Sequence, residues 1–390
     1  MYYARALTFL LIMFCALPVS AQNIHIGLLR LQNDPRFDED FAYARIELRA
    51  QGDVLTAVKM SIKDMKIMTD ARGLKIELSE AKVKVGELYQ AAQNMIAQGV
   101  THIIADLPGN VVDNLATSLI DSDVVVLNTT APDDWLRSRC HTNLLHTAAS
   151  DRMIADALVQ HAMFYKWKDI LILRGKTNRD TMRADSFAQS AKRYRLRIVD
   201  DREFDLSTNP ALREENNIAL ITGGRTNYDA VYIADEIGEY ARYVPYQVIR
   251  PRPVIGATGL VALEWHWALE RYGAPQVNSR FEQMSTDNRR MSWQDWSAWI
   301  ATRAVLTAFI KSHDPAIKAV NVYLRSHKLR LDGSKGRQMN FRPWNGQLRM
   351  PILLATHNAI IGIAPLEGFL HQTNTLDALG SDDQEFICAE

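Results

Sequence analysis

The sequence predicts an α/β protein of two doubly wound parallel-sheet lobes joined by a multi-strand hinge. Three observations carry this expectation. Short β-rich runs alternate with amphipathic helical patterns, without hairpin signals between them, which calls for right-handed crossovers and parallel sheets. The alternation begins afresh midway, giving two successive units of roughly 120 residues, a normal domain size. A hydrophobic content of 47% against 23% charged residues supplies globular cores and excludes disordered and fibrous classes.

In the first unit, residues 24–29 read as a strand and 54–68 as a helix, with apolar side chains at Val54, Leu55, Val58, Ile62, Met65 and Met68. A strand over 74–78, a helix over 85–98 closed by Gly99, and a strand over 100–105 follow. A helix over 111–120 and a strand over 124–127 complete the unit. The second unit predicts helices over 153–164 and 183–194 and strands over 169–173, 196–199, 218–222, 230–234 and 254–256, leading into a helix over 260–272. After Val277 the order changes: a long helix over 293–311, a shorter one over 316–326, a turn-rich stretch at 332–336 and a final strand over 351–355. That tail lacks a sheet of its own, so it is expected to complete the two lobes. The lobes are read as 22–146 plus 277–345 and 147–276 plus 346–390, preceded by residues 1–21.

Those first residues read as a cleavable secretory signal peptide. One positive charge at Arg5 precedes an apolar run, Pro18 breaks it, and Val19-Ser20-Ala21 places small residues where a signal peptidase reads. The run is too short for a membrane span, and no later stretch reaches about 18 uninterrupted apolar residues, so a soluble exported chain is expected rather than an integral membrane protein. Export leaves Cys140 and Cys388, which an oxidising compartment allows to pair; two independent thiols are the alternative reading. Lysine plus arginine balances aspartate plus glutamate at 45 each, which argues against a nucleic-acid partner.

Enzyme motifs are missing. The sequence has no dinucleotide or Walker glycine loop, no His-Glu-x-x-His and no Gly-x-Ser-x-Gly elbow, so neither catalysis nor a cofactor is expected. Gly223-Gly224 reads as a turn, and Trp293, Trp296 and Trp299 as a packing stripe. Acidic residues after strands are more telling: Asp34 and Asp38-Glu39-Asp40, Asp106, Asp133-Asp134, and Asp235-Glu236. Loops at the carboxyl ends of parallel strands line ligand crevices. Converging carboxylates there suit a hard cation or an amine-bearing ligand; the alternative is that each aspartate caps the next helix. The candidate metal ligands are Asp34, Asp106, Asp235 and Glu236.

The layout resembles type I periplasmic solute-binding proteins, the branched-chain amino-acid-binding type of ABC importers. More narrowly it is similar to the substrate-binding proteins of ABC transporters associated with PQQ-dependent alcohol dehydrogenase systems. The residues behind this are Asp34-Pro35-Arg36-Phe37 with Ala42-Tyr43-Ala44-Arg45, then Ala131-Pro132-Asp133-Asp134 with Leu136-Arg137 and Cys140. Arg252-Pro253-Val254-Ile255-Gly256, Gly259-Leu260, Trp265-His266 and Ser279-Arg280-Phe281-Glu282 follow. The most specific is Phe341-Arg342-Pro343-Trp344-Asn345-Gly346-Gln347-Leu348-Arg349, leading to Gly368-Phe369-Leu370-His371 and Leu376-Asp377.

The resemblance implies a monomeric periplasmic binding component that delivers its ligand to an inner-membrane ABC permease and its ATPase. A sensor presenting its closed form to a membrane receptor is the alternative. Amino-acid binders of this type use small hydroxyl residues after two strands of the first lobe and an acid from the second. Here the first position reads Asp106-Leu107-Pro108-Gly109, while Asn128-Thr129-Thr130 keeps hydroxyls and Ala257-Thr258 replaces the acid. The expected ligand is therefore an alcohol-related metabolite or a metal ion, a lanthanide among them, held by Asp34, Asp106, Thr129, Thr130, Asp133, Asp235, Glu236 and Thr258.

Overall fold

The computed structural model describes residues 22–34, 36, 42–43, 46–47, 54–207, 209–312, 314 and 316–388. The signal-peptide reading of 1–21 and the acidic run Asp38-Glu39-Asp40 lie outside these residues, as do Pro35, Phe37, Ala44 and Arg45.

The chain opens with β1 (Gln22–Leu31) and a minimal antiparallel pair, β2 (Ala42–Tyr43) and β3 (Ile46–Glu47). Then come α1 (Leu55–Asp70), β4 (Leu74–Val83), α2 (Leu88–Ala97), β5 (Val100–Asp106), α3 (Gly109–Ser118), β6 (Val125–Asn128), α4 (Asp134–Ser138) and β7 (Leu144–His146). The second series runs α5 (Asp151–Phe164), β8 (Asp169–Arg174), α6 (Asn178–Arg193), β9 (Arg197–Glu203), α7 (Arg213–Asn216), α8 (Ile218–Ile221), β10 (Ala230–Ala234), α9 (Val244–Gln247) and β11 (Val254–Gly256). The remainder is β12 (Val261–Leu263), α10 (Ala274–Met284), α11 (Trp293–Lys311), α12 (Ile317–Leu324), β13 (Leu331–Asp332), β14 (Gln338–Met339), β15 (Ile352–Ala355) and β16 (Ile360–Ala364).

Two parallel sheets result, β4-β1-β5-β6-β7 and β9-β8-β10-β11, wound in the same sense. In each, the second strand of the series lies on one side of the first and the later strands on the other. Such a reversal opens a crevice at the carboxyl ends, between β1 and β5 in one lobe and between β8 and β10 in the other. Both sheets are covered on two faces, as parallel sheets must be. α2 and α3 bury Leu115, Val112 and Met95 against one face of the first sheet, and Phe204, Tyr240 and Val244 cover one face of the second. The largest core joins α1, α11, α5 and the strand β15. α11 is buried on nearly every side because α1, α12 and β5 all pack against it. Gly99 ends α2 with φ at +91°, the left-handed conformation that favours glycine.

Two sequence expectations are corrected. Residues 218–222 are not a strand: α8 forms there, with Ile218 and Ile221 buried one turn apart and the Asn217 side chain accepting from the Leu220 amide. Residues 260–272 are not a helix. Leu260, Ala262 and Glu264 are buried while Val261 and Leu263 are half-exposed, the two-residue alternation of a strand. β12 accordingly pairs antiparallel with β15, and β16 extends that small sheet against α5. β7, α10 and β16 went unanticipated.

The described chain passes between the lobes at residues 147–150, 264–273 and 340–351, and hydrogen bonds from these segments and from His146 and Lys335 beside them tie the crossing together. The His146 amide donates to Gly346 O at 2.9 Å and Leu348 N to His146 O at 2.8 Å. Buried Lys335 donates to Glu264 O at 3.0 Å and Pro351 O at 2.7 Å, while the Glu264 carboxylate accepts from Ala149 N at 2.9 Å. The C-terminal tail is held on the second lobe, where Gly380 N donates to Asp156 at 2.7 Å and Arg342 Nε to Asp377 at 2.8 Å. It then reaches the first lobe: Cys388 is disulfide-bonded to Cys140, 248 residues earlier, with Cα atoms 5.6 Å apart.

Candidate functional site

The crevice of the first lobe is organised by a cation. Asp106 ends β5 and is 1% exposed, and Asp34 lies just past the end of β1. The Arg36 guanidinium sits between them. Its Nε donates to both Asp34 oxygens at 3.0 Å, and Nη2 donates to Asp34 Oδ2 at 2.6 Å and to Asp106 Oδ1 at 3.0 Å. Nη1 donates to Thr130 Oγ1 at 2.8 Å, and that hydroxyl donates on to Asp106 Oδ1 at 3.0 Å. The other oxygen of Asp106, Oδ2, is buried without a partner among the described residues. Burial pushes the Asp106 carboxyl above its ordinary value, although Arg36 and the Thr130 hydroxyl pull it down. Burial opposes the charge on Arg36 too, but Asp34 and Asp106 outweigh it and hold the guanidinium ionised.

The crevice of the second lobe is organised in the same way. Thr177 and Asp180 form a reciprocal cap that starts α6, placing Arg179 in the first turn. Asp180 Oδ1 also accepts from Glu236 N at 2.6 Å, fixing the loop after β10. Arg179 Nη1 donates to Asp151 at 2.7 Å and lies 3.6 Å from Asp133. Burial works against its charge, yet Asp151, Asp133 and Glu236 together raise its pKa. Asp133 itself packs against Gly109, whose absent side chain leaves the room: a Cβ there would lie 2.4 Å from Asp133 Oδ2. The loop after β6 thus touches the start of α3 on one side and the second lobe on the other. Ser186 Oγ, donating to Asp134 at 2.6 Å, is a further contact of that kind.

Of the eight residues the sequence singled out, Asp34, Asp106 and Thr130 meet in one hydrogen-bonded group, and Asp133 and Glu236 flank Arg179. Thr129 is fully buried and its hydroxyl donates to Ala105 O at 3.0 Å. Asp235 accepts from Gly238 N and Ala241 N, both at 2.8 Å, and so shapes its own loop; burial raises its pKa. Thr258 lies in the turn between β11 and β12. Among the described residues no three His, Cys, Asp or Glu side chains group so as to hold a metal. The four candidate metal ligands therefore fall into two separate pairs, with Arg36 already between Asp34 and Asp106. The two arginines at the centres of these clusters were missed as site residues. The Asp-x-Arg spacing of Asp34 and Arg36 and the Thr177–Asp180 cap were the signals that point to them.

No family model matches the chain, and no curated protein matches it. Solved structures do. A branched chain amino acid ABC transporter periplasmic ligand-binding protein from Burkholderia xenovorans superposes with a TM-score of 0.69 at 13% identity, covering 87% of this chain and 95% of that one. An ABC transporter substrate-binding protein from Desulfitobacterium hafniense, in complex with Leu, gives 0.65 at 16% identity over 87% and 99%. A solute binding protein of an ABC transporter from Rhodopseudomonas palustris, in complex with 3,4-dihydroxy benzoic acid, gives 0.65 at 12% identity over 86% and 93%. The architecture is that of the type I periplasmic binding protein fold.

Proposed function

We propose that this chain is the solute-binding component of an ABC transporter, exported to the periplasm and acting as a monomer. It captures a small ligand between its lobes and hands it to an inner-membrane permease, with no chemical change. The supporting observation is the unpartnered, buried Oδ2 of Asp106 at the point where the first sheet reverses. A buried carboxylate oxygen without a donor is costly, and a ligand hydroxyl or ammonium at that place removes the cost. Structural neighbours that bind amino acids or benzoates through an ABC transporter fit this reading.

The moving bodies are residues 22–146 with 277–345 and residues 147–276 with 346–390. Asp34, Asp106 and Thr130 contribute the first wall, and Arg179, Glu236 and Thr258 the second. The ligand class that suits this chemistry is a small hydroxylated or amine-bearing solute, and the resemblance to binding proteins of PQQ-dependent alcohol dehydrogenase systems favours an alcohol-related metabolite. A bare metal ion suits the site less well, because Arg36 stands between the two carboxylates nearest each other.

A thermal-shift panel on the mature chain tests this. A saturable rise in Tm with a hydroxylated or amine-bearing metabolite, lost in Asp106→Asn, is the expected result. A rise only with divalent or trivalent ions would replace the organic ligand by a metal. Turnover of any panel compound would overturn the binding role.

A further inference from the structure

A third buried arginine lies close to the first lobe's crevice and has no place yet in the site. Arg137 sits on α4, 3% exposed, and among the described residues its hydrogen bonds all go to uncharged acceptors. Nη1 donates to Ala131 O at 2.7 Å and to Asp133 O at 2.9 Å, both in the loop after β6. Nη2 donates to Ala148 O at 2.8 Å, in the first passage between the lobes. Nε donates to Gln347 Oε1 at 3.0 Å, in the last passage. Burial lowers the Arg137 pKa to about 10, against the opposing pull of Asp134, Asp133, Asp151 and Glu264, so the group is still a cation at neutral pH.

The loop held by this arginine enters both crevices. Thr130 Oγ1 donates to Asp106 and accepts from Arg36, and Asp133 lies 3.6 Å from Arg179 of the second lobe. Pro132 O accepts from Asp151 N at 2.9 Å, and Asp134 accepts from Arg152 N at 3.0 Å, so the loop also touches the start of α5. Asn128 sets the loop's shape: its Oδ1 accepts from Ala131 N at 2.8 Å and its Nδ2 donates to Ala131 O at 2.8 Å. At the far end of the bridge, Gln347 is 1% exposed and its Nε2 donates to Ala148 O at 2.9 Å. Arg137, Ala148 and Gln347 thus close a ring of hydrogen bonds that joins two passages to one loop.

We propose that Arg137 is a positioning residue that couples the loop carrying Thr130 to the passages between the lobes, so that a change at the solute position reaches the hinge. The inference rests on the solute-binding function proposed above, and Arg137 acts through the loop rather than on the solute. A guanidinium taken out of water is costly, and packing alone is served as well by an apolar side chain of similar volume. What arginine adds is a planar fork that fixes several acceptors at set angles, which the point charge of a lysine does not. A displacement of the loop therefore either breaks the bonds to Ala131 and Asp133 or carries Ala148 and Gln347 with it.

The test needs no solute, so its outcome is independent of the thermal-shift panel that tests solute capture. Thr130→Val removes the hydroxyl between Asp106 and Arg36 and serves as the change at the solute position. Amide hydrogen exchange of the full mature chain is read by mass spectrometry. Exchange is expected to quicken in residues 129–133 and, by at least about threefold, at the His146 and Leu348 amides that bond the first passage to the last. In a Gln347→Met background the effect is expected to stay in the loop. Arg137→Lys, which keeps the charge and gives up the fork, is expected to confine it in the same way. Asn217→Ala, which removes the cap of α8 and touches no residue of this network, is expected to leave the transmission intact. The proposal is overturned if Thr130→Val alters only the loop in the otherwise unchanged chain, if its effect still reaches His146 and Leu348 in both backgrounds, or if Asn217→Ala abolishes it as well.

Discussion

Asp106 is the residue on which the proposed site turns. It is buried at the end of a strand, one oxygen bonded to Arg36 and Thr130 and the other without a hydrogen-bond partner among the described residues. Because burial raises its pKa above the unfolded value, the fold favours the neutral form, and the stability so gained is complete below the unfolded pKa and lost as pH rises through the folded one. Above that pH the empty protein carries a poorly solvated charge. A ligand that donates to Oδ2 relieves it. The Tm gain from ligand should therefore grow as pH rises through this range and shrink on acidification, and Asp106→Asn should flatten that dependence. A gain independent of pH would remove Asp106 from the site. The aspartates themselves were legible as a group of carboxylates at strand ends. Their pairing with Arg36 was not, since a side chain's partner depends on how a loop folds back, which periodicity does not carry.

Elements were legible wherever one face of a long segment repeats. α1, α5, α11 and the strands β1, β5, β8 and β10 all coincide with apolar runs of the right period. Short apolar runs were ambiguous: residues 218–221 coil because Asn217 caps them, and β12 extends because β15 lies beside it. Caps are also where single-residue energetics can be read. Ser292 and Asp295 bond reciprocally at the start of α11, and Arg289 adds an ion pair to Asp295. Ser292→Ala should lower unfolding stability by about 1 kcal/mol in denaturant titration. A change near zero would show that the packing of Trp296 and Trp299 alone sets where this helix begins.

At the scale of the whole molecule, the two lobes repeat one winding order, and three linking segments with a buried lysine between them join the halves. The repetition could be seen in the sequence; the return of α10 to α12 to the first lobe and of β15 to the second could not, because nothing local to those segments names the lobe they pack on. The disulfide adds a fourth connection, from a tail anchored on the second lobe to Cys140 of the first. Cys140→Ser with Cys388→Ser is expected to cost about 2–4 kcal/mol of unfolding stability. An unchanged unfolding curve would mean that the tail is held by Asp156 and Arg342 alone. The central proposal is that a bound solute shifts an equilibrium between open and closed lobes. Small-angle X-ray scattering of the mature protein, with and without the metabolite that raises its Tm, tests it most directly. The radius of gyration should fall on saturation and should not fall in Asp106→Asn. An identical scattering curve with and without a tightly bound solute would contradict it.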